Sequence, residues 1–146
     1  MSEAMASIVA GLERVRIGVA EGDREDIAKF AVPLFEKTDK RYGTKQFQFH
    51  TPPATSFFRA HKPAKFGDDL TAIRKTIVAT NEQQKPINGI DRGRYGIGAR
   101  GLSPIFSMDG RHVGSVEFGL SLGDEFFTQF KQSHDVDAGL FLSRDG

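Results

Sequence analysis

Apolar residues in the first third of the chain recur at three- and four-residue steps, the pattern of amphipathic helices. Such steps run through residues 2–20 and again through residues 23–40. Between the two stretches, Gly22 is suited to end one helix and Asp23 to cap the next. Pro33 lies inside the second stretch and predicts a kink or a change of register there.

Polar and apolar residues then alternate over residues 46–51, which predicts a half-buried strand. Two prolines stop this strand, and since proline is tolerated in the first turn of a helix, residues 54–60 are expected to form one or two helical turns. Helical spacing returns at residues 66–81, with Asp68 or Asp69 as the expected N-cap.

Short β segments dominate after residue 86. Strands are predicted at 87–90, 95–106 and 111–122, and an Asp-Gly pair between the last two favours an antiparallel hairpin. A short helix opening near residue 123 and a strand at 137–142 complete the chain. Helices followed by an antiparallel meander, without alternation of strands and helices, predict an α+β fold.

The strand predicted at 111–122 separates its side chains into two faces. Val116 and Phe118 lie on one face, whereas Ser115, Glu117 and Gly119 lie on the other. Glu117 is the only formal charge on this second face, which makes it a candidate site residue.

Composition narrows the classes of function. The chain has 146 residues, 38% of them hydrophobic, enough for one domain with a sizeable core. A net charge of +1 provides no overall field for nucleic acid, so no nucleic-acid partner is expected. The absence of cysteine excludes disulfides, thiolate metal sites and thiol nucleophiles. The sequence contains no signal peptide and no apolar run long enough to span a membrane, and its ending suggests a fragment of a longer protein.

Patterns typical of enzymes and cofactor sites are missing. The glycine-rich run from Gly93 to Gly101 contains neither the dinucleotide fingerprint nor a phosphate-loop lysine. The four histidines have no metal-ligand spacing, and no serine lies in a nucleophile elbow. We therefore expect no metal, no cofactor and no enzymatic activity.

The densest chemistry lies between Gln46 and Asp69, where Arg59, His61, Lys62 and Lys65 follow two phenylalanines. A guanidinium beside an aromatic pair is suited to hold a carboxylate in bidentate fashion. Two readings of Arg59 remain open: contact with a ligand, or structural pairing with Asp68 or Asp69.

Three runs of sequence resemble a known family: QFQFHTPPATSFFRAHKPAKFGDDL, RKTIVATNEQQKPINGID and GIGARGLSPIFSMDGRHVGSVEFGLSLGDEFFTQFK. They are similar to the extracytoplasmic Cache sensor region of bacterial methyl-accepting chemotaxis proteins and related sensor kinases, most of all to the double-Cache type. The similarity covers about Gly22 to Asp145.

The resemblance implies a PAS-like module in which a long N-terminal helix packs on an antiparallel sheet of about five strands. Residues 1–21 would form a helical arm continuing from a membrane anchor in the parent chain, residues 22–136 the sensor module, and residues 137–146 the start of a truncated further element. The implied location is the periplasmic part of an inner-membrane chemoreceptor or sensor kinase, with homodimerisation through the N-terminal helix.

The same resemblance places a small-molecule pocket on the sheet face opposite the long helix. The positions it implies for ligand contacts are His50, Phe58, Arg59, His61, Tyr95, Arg100 and Glu117. The two arginines favour a small organic acid, whereas Glu117 would favour an amine. Lack of cysteine argues against the haem-binding branch of the family. The alternative is a PAS-like dimerisation or interaction module that binds no small molecule.

Overall fold

The computed structural model describes residues 1–93, 96–137 and 139. Its elements, in chain order, are α1 (Ser2–Gly11), α2 (Glu13–Glu21), α3 (Arg24–Tyr42), β1 (Thr44–Thr51), β2 (Thr55–Arg59), α4 (Lys75–Gln83), β3 (Ile87–Gly93), β4 (Gly96–Phe106), β5 (His112–Ser121) and α5 (Asp124–His134). Most of the strand expected at 137–142 lies outside the described residues. Among the described residues, no helix is long and apolar enough to cross a membrane.

Helices at the N-terminus follow the sequence pattern closely. The helical stretch predicted at 2–20 is divided at Leu12, whose extended backbone (ψ 128°) ends α1 before α2 begins. Gly22 adopts the left-handed conformation (φ 73°), and the Asp23 carboxylate accepts a hydrogen bond from the Asp26 amide at 3.0 Å. The predicted helix end and N-cap are therefore both confirmed.

The five strands form one antiparallel sheet in the order β2-β1-β5-β4-β3. The turn between β4 and β5 contains Asp109 and Gly110, and Gly110 has a positive φ of 86°. Strand β5, with its one acidic side chain, lies at the centre of the sheet. The α+β fold and the hairpin are confirmed.

Two local predictions are wrong, and both concern the segment after β1. Within residues 54–60 the chain forms strand β2 (Thr55–Arg59), because it reverses at Pro52 and Pro53 and pairs with β1, placing Phe58 opposite Phe49. The helix predicted at 66–81 begins only at Lys75. Backbone hydrogen bonds to β2 and to the residue before it hold residues 67–70 in irregular structure instead: Gly67 N donates to Ser56 O at 2.7 Å, and Leu70 N donates to Ala54 O at 2.9 Å.

Each face of the sheet has its own packing. Toward α1, α2 and α3 lies an aromatic and aliphatic core that includes Phe47, Phe49 and Phe118, with the Phe47 and Phe118 rings stacked at 4.2 Å. The opposite face carries a smaller apolar cluster of Ala54, Leu70, Ile77 and Leu102, and beside it the polar side chains described below. The alternation predicted for β5 is confirmed.

The backbone of helix α1 lies close against Gly101 of β4. A Cβ atom at this position would lie 2.0 Å from the backbone nitrogen of Glu3. Backbone cannot yield as a flexible side chain can, so glycine is required for this helix to dock on the strand.

We expect Gly101→Ala to lower the free energy of unfolding by about 1–3 kcal/mol, because the added methyl group must displace α1. Urea unfolding of the purified domain measures this. Gly89→Ala in neighbouring β3 is the matched control, since its Cβ would meet only the Thr76 methyl group at 3.9 Å. Equal stability of the two variants would contradict the close docking of α1.

Candidate functional site

A fully buried carboxylate, that of Glu117, lies at the centre of the sheet face opposite α1. Its Oε1 accepts hydrogen bonds from Arg74 Nη2 at 2.5 Å and from Arg100 Nη1 at 3.2 Å. Its Oε2 accepts one from the Gln48 amide at 2.9 Å. Three separate parts of the chain therefore supply the donors: β1, β4 and the residue that precedes α4.

This arrangement keeps Glu117 ionised. Burial by itself raises the pKa of a carboxyl group, but the guanidinium groups of Arg74 and Arg100 outweigh it, with smaller contributions from His50 and Gln48, and the pKa of Glu117 falls to about 2. A buried carboxylate is tolerated only with such partners, because an unpaired charge in the interior costs several kcal/mol or more.

His50 lies beside Glu117 in the same buried layer. Its Nε2 is 3.6 Å from Glu117 Oε2, and its Nδ1 is 3.4 Å from the Ser115 hydroxyl. Burial lowers the pKa of His50 to about 3; Glu117 opposes the shift, whereas the nearby arginines add to it. His50 is therefore a neutral imidazole near pH 7.

Arg59 is engaged in a bidentate ion pair with Asp68. Its Nη1 and Nη2 donate to the two carboxylate oxygens at 2.7 and 2.9 Å, Nη1 also donates to the Lys65 carbonyl, and Nε lies 3.3 Å from Gln48 Oε1. Of the two readings of Arg59, structural pairing with Asp68 is the one observed. The pair ties residues 65–68 to the end of β2.

A cleft of about 310 Å³ opens beside this buried layer, lined by Lys45, Gln46, His61, Lys62, Ile97, Gly98, Arg100, Leu120 and Ser121. A second cavity of about 20 Å³, enough for a single water molecule, shares Gln46 and His61 with the cleft and is also lined by Arg59 and Arg74. The cleft thus adjoins the arginine and glutamate cluster, with Arg100 common to both.

The seven predicted contacts are only partly brought together. His50, Arg59, Arg100 and Glu117 form one layer on this face, and His61 lines the cleft with its Nδ1 3.3 Å from the Phe47 carbonyl oxygen. Phe58 lies in the aromatic core on the other side of the sheet. Tyr95 lies outside the described residues.

Arg74 is the residue that sequence reasoning missed. It is 4% exposed, and its ion pair with Glu117 joins residues 43 positions apart. The helix predicted at 66–81 gave no partner for Arg74, because the side-chain pattern within one segment does not reveal a contact with a strand 43 residues away. A usable signal was present nonetheless, because a lone acid on a buried strand face requires a cationic partner from elsewhere in the chain.

The chemistry of the cleft suits an anion. Arg100 offers a planar guanidinium at the floor of the cleft, and Lys45 and Lys62 stand at its rim. Glu117 is enclosed by its own donors and does not line the cleft. Within the part of the chain that the structure describes, no group of three metal-ligating side chains is present.

The depressed pKa of His50 predicts a pH dependence of stability. Between about pH 6 and pH 5 the unfolded chain binds the imidazole proton and the folded chain does not, so the free energy of unfolding falls as the pH falls, by up to about 1.4 kcal/mol per pH unit. In urea unfolding measured across this pH range, His50→Gln should reduce the dependence of the unfolding free energy on pH by up to about 1.4 kcal/mol per pH unit. His134→Gln removes an exposed histidine and serves as the control. Parallel slopes for wild type and His50→Gln would mean that His50 titrates normally.

Three solved structures share the fold of this chain. The E. coli DcuS sensor domain superposes with a TM-score of 0.62 at 17% identity, covering 91% of this chain and 91% of that one. A domain of a sensory box/GGDEF family protein from Vibrio parahaemolyticus gives 0.58 at 14% identity, covering 87% and 54%. The ligand-binding domain of the Campylobacter jejuni chemoreceptor Tlp3, in complex with L-valine, gives 0.56 at 11% identity, covering 82% and 49%.

At these identities the structural similarity shows the shared fold, and the chain spans about half the length of the last two domains. No curated protein matches the chain by sequence. A family described as the double sensory domain of two-component sensor kinases matches residues 2–146. This match confirms the resemblance to Cache sensors: the chain belongs to the dCache_3 family of double sensory domains.

Proposed function

We propose that this domain is the extracytoplasmic sensor module of a membrane receptor, either a sensor kinase or a chemoreceptor, and that it binds a small organic acid in the cleft beside Arg100. The cleft volume of about 310 Å³ lies at the lower end of ligand-pocket sizes, so the ligand is small. The sensor family to which the chain belongs supports a binding role and not a catalytic one.

Arg100 carries the preference for a carboxylate. Glycine stands at two positions beside its guanidinium on this face. A Cβ at Gly119 would lie 3.0 Å from Nη1, and one at Gly98 would lie 2.8 Å from the Leu120 carbonyl oxygen and 3.3 Å from Nη2. A buried arginine at the floor of a cleft can bind a carboxylate with two hydrogen bonds, and low local polarity strengthens them.

Glu117 does not favour an amine in this arrangement. Both of its oxygens accept hydrogen bonds from protein donors, and Arg74 and Arg100 neutralise its charge. Tlp3 was solved with an amino acid, L-valine, but its identity to this chain is 11%, and its ligand does not carry over. We propose an acid without an ammonium group as the ligand of this domain.

Arg59 has a supporting role in this proposal. Its guanidinium holds Asp68 and the Lys65 carbonyl, so contact with a ligand would require exchange of Asp68 for the ligand carboxylate. The direct ligand contacts that we propose are Arg100, His61 and Lys62, which line the cleft. His50 supports the layer behind them.

Signal transmission would run through the N-terminal helix. Arg100 faces the cleft, and the next residue, Gly101, faces α1 at backbone contact distance. A shift of β4 on ligand binding therefore displaces α1 directly. In the parent receptor, residues 1–21 would carry this displacement toward the membrane as a change between two arrangements, of which the ligand stabilises one.

Exposed apolar residues in the N-terminal segment 1–21 support a homodimer. Ile8 is 68% exposed, and Leu12 and Ile17 are each 38% exposed. We propose that a second copy of this chain covers them, so that displacement of α1 alters the dimer. A dimerisation module without a ligand is the second candidate function, and the same residues favour it.

Loss of the Arg100 guanidinium should weaken carboxylate binding. We expect Arg100→Gln to reduce the affinity for the tightest binder among acetate, malonate and citrate by about 30-fold or more, the loss typical of one partner of a buried charged pair. Isothermal titration calorimetry measures this, with L-valine as the amine-containing probe.

Arg111→Gln is the control, since Arg111 is exposed and pairs with its near neighbour Asp109. Undiminished carboxylate affinity in Arg100→Gln would remove Arg100 from the site. Tighter binding of L-valine than of any acid would overturn the proposed ligand class.

The dimer has its own test. Ile8→Asp should shift the domain to a monomer in analytical ultracentrifugation, because burying a carboxylate in the interface is unfavourable. Ile90→Asp, which changes an equally apolar residue (59% exposed) on edge strand β3, is the control. A wild-type domain that is monomeric at millimolar concentration would contradict the dimer.

A further inference from the structure

Residues 60–74 form a cap segment that connects β2 to α4 over the polar face of the sheet. Its middle is fixed to the neighbourhood of β2: Ser56 N donates to Asp68 O at 3.0 Å, Leu70 N donates to Ala54 O at 2.9 Å, and Arg59 binds the Asp68 carboxylate. Its last residue, Arg74, instead reaches the central strand β5 through Glu117. The cap segment is thus attached at two distinct places.

One oxygen atom, Glu117 Oε1, is shared between the cap segment and the cleft. Arg74 donates to it at 2.5 Å and Arg100 at 3.2 Å. Arg100 lines the cleft, whereas Arg74 lines the small cavity beneath the cap segment. Both guanidinium groups are almost completely buried, with 2% and 5% of their side-chain surface exposed, so solvent screens their interaction only weakly.

Two cations on one carboxylate oxygen oppose each other. Each is attracted to Glu117 and repelled by the other, and Arg74 has the shorter contact. Neutralising or removing the charge of Arg100 removes this repulsion, and Arg74 can then bind Glu117 Oε1 more tightly. An anion bound to Arg100 acts in the same direction as removal of the Arg100 charge.

We propose that Arg74 is a positioning residue of the anion site, which couples the cap segment to the cleft through Glu117. Withdrawal of Arg100 toward an anion strengthens the contact of Arg74 with Glu117 and tightens the cap segment over the sheet. This inference rests on the proposed function only for the anion. The coupling of Arg74 and Arg100 through Glu117 belongs to the protein alone and is tested without any ligand.

Hydrogen exchange of backbone amides in the cap segment measures the coupling between Arg74 and Arg100. The Leu70 and Arg74 amides, bonded to Ala54 O and Leu70 O, are the probes. Relative to wild type, Arg100→Met should slow their exchange about fivefold, and Arg74→Met should accelerate it by a similar factor. In a Glu117→Gln background, Arg100→Met should no longer slow exchange of the cap amides, because the carboxylate that links the two arginines is gone. If Arg74 held the cap segment by packing alone, the Glu117→Gln substitution would not abolish the effect of Arg100→Met.

Arg111→Met serves as the control for loss of an arginine at an exposed position. If Arg100→Met does not fold, Arg100→Gln takes its place, since it also removes the positive charge while keeping a polar side chain beside Glu117. Cap exchange that is unchanged in the folded Arg100 variant, or slowed equally in the Glu117→Gln background, overturns the proposal.

Malonate then separates this inference from the proposed function. In the wild-type domain, saturating malonate should slow the Leu70 and Arg74 amides, and in Arg74→Met it should leave the cap amides unaffected. If malonate alters no amide while Arg100→Met slows the cap amides, the anion site fails and the coupling of Arg74 and Arg100 through Glu117 stands. If malonate protects the cleft residues and leaves the cap unaffected, the anion site stands and the coupling is wrong.

Discussion

A carboxylate buried at the centre of a sheet constrains the rest of this fold. Glu117 has no access to water, so its charge is supported only by donors that the chain itself brings to it. Gln48 lies directly opposite in the β1 to β5 register, and Arg100 reaches it diagonally from β4, where it pairs with Gly119. A slip of either strand by one residue would turn these donors to the apolar face and leave the charge unpaired.

This requirement accounts for the unequal faces of the sheet. Toward the helices, stacked phenylalanines and close backbone contact at Gly101 give a core held by packing. On the other face, charges and hydrogen bonds specify the geometry, and glycines at 98 and 119 leave space for the Arg100 guanidinium. Polar contacts of this kind have defined directions, which suits a surface that must recognise a small molecule and also respond to it.

Sequence reasoning succeeded where side-chain period and local signals determine structure. The alternation along β5 placed Glu117 alone on the face opposite the core, and Gly22 with Asp23 marked a helix boundary that the structure contains. Failure began at Pro52, because two prolines before an apolar stretch suit a helix start as well as a tight reversal between strands. Because the sequence pattern does not predict β2, it also starts the following helix too early, and it gives no indication that Arg74 pairs with Glu117.

The missed partner also changes how the arginines are interpreted. The sequence does not show which acid each of Arg59, Arg74 and Arg100 meets. The fold distributes them: one to Asp68, one to Glu117 alongside the cap segment, and one to Glu117 at the floor of the cleft. Adjacency to an aromatic pair favoured Arg59 as the ligand contact, yet that adjacency places Phe58 in the opposite core and turns Arg59 toward Asp68. In the proposed site, Arg100 is therefore the arginine where an external carboxylate can compete with an internal one, and this competition allows occupancy of the cleft to alter the protein's own contacts.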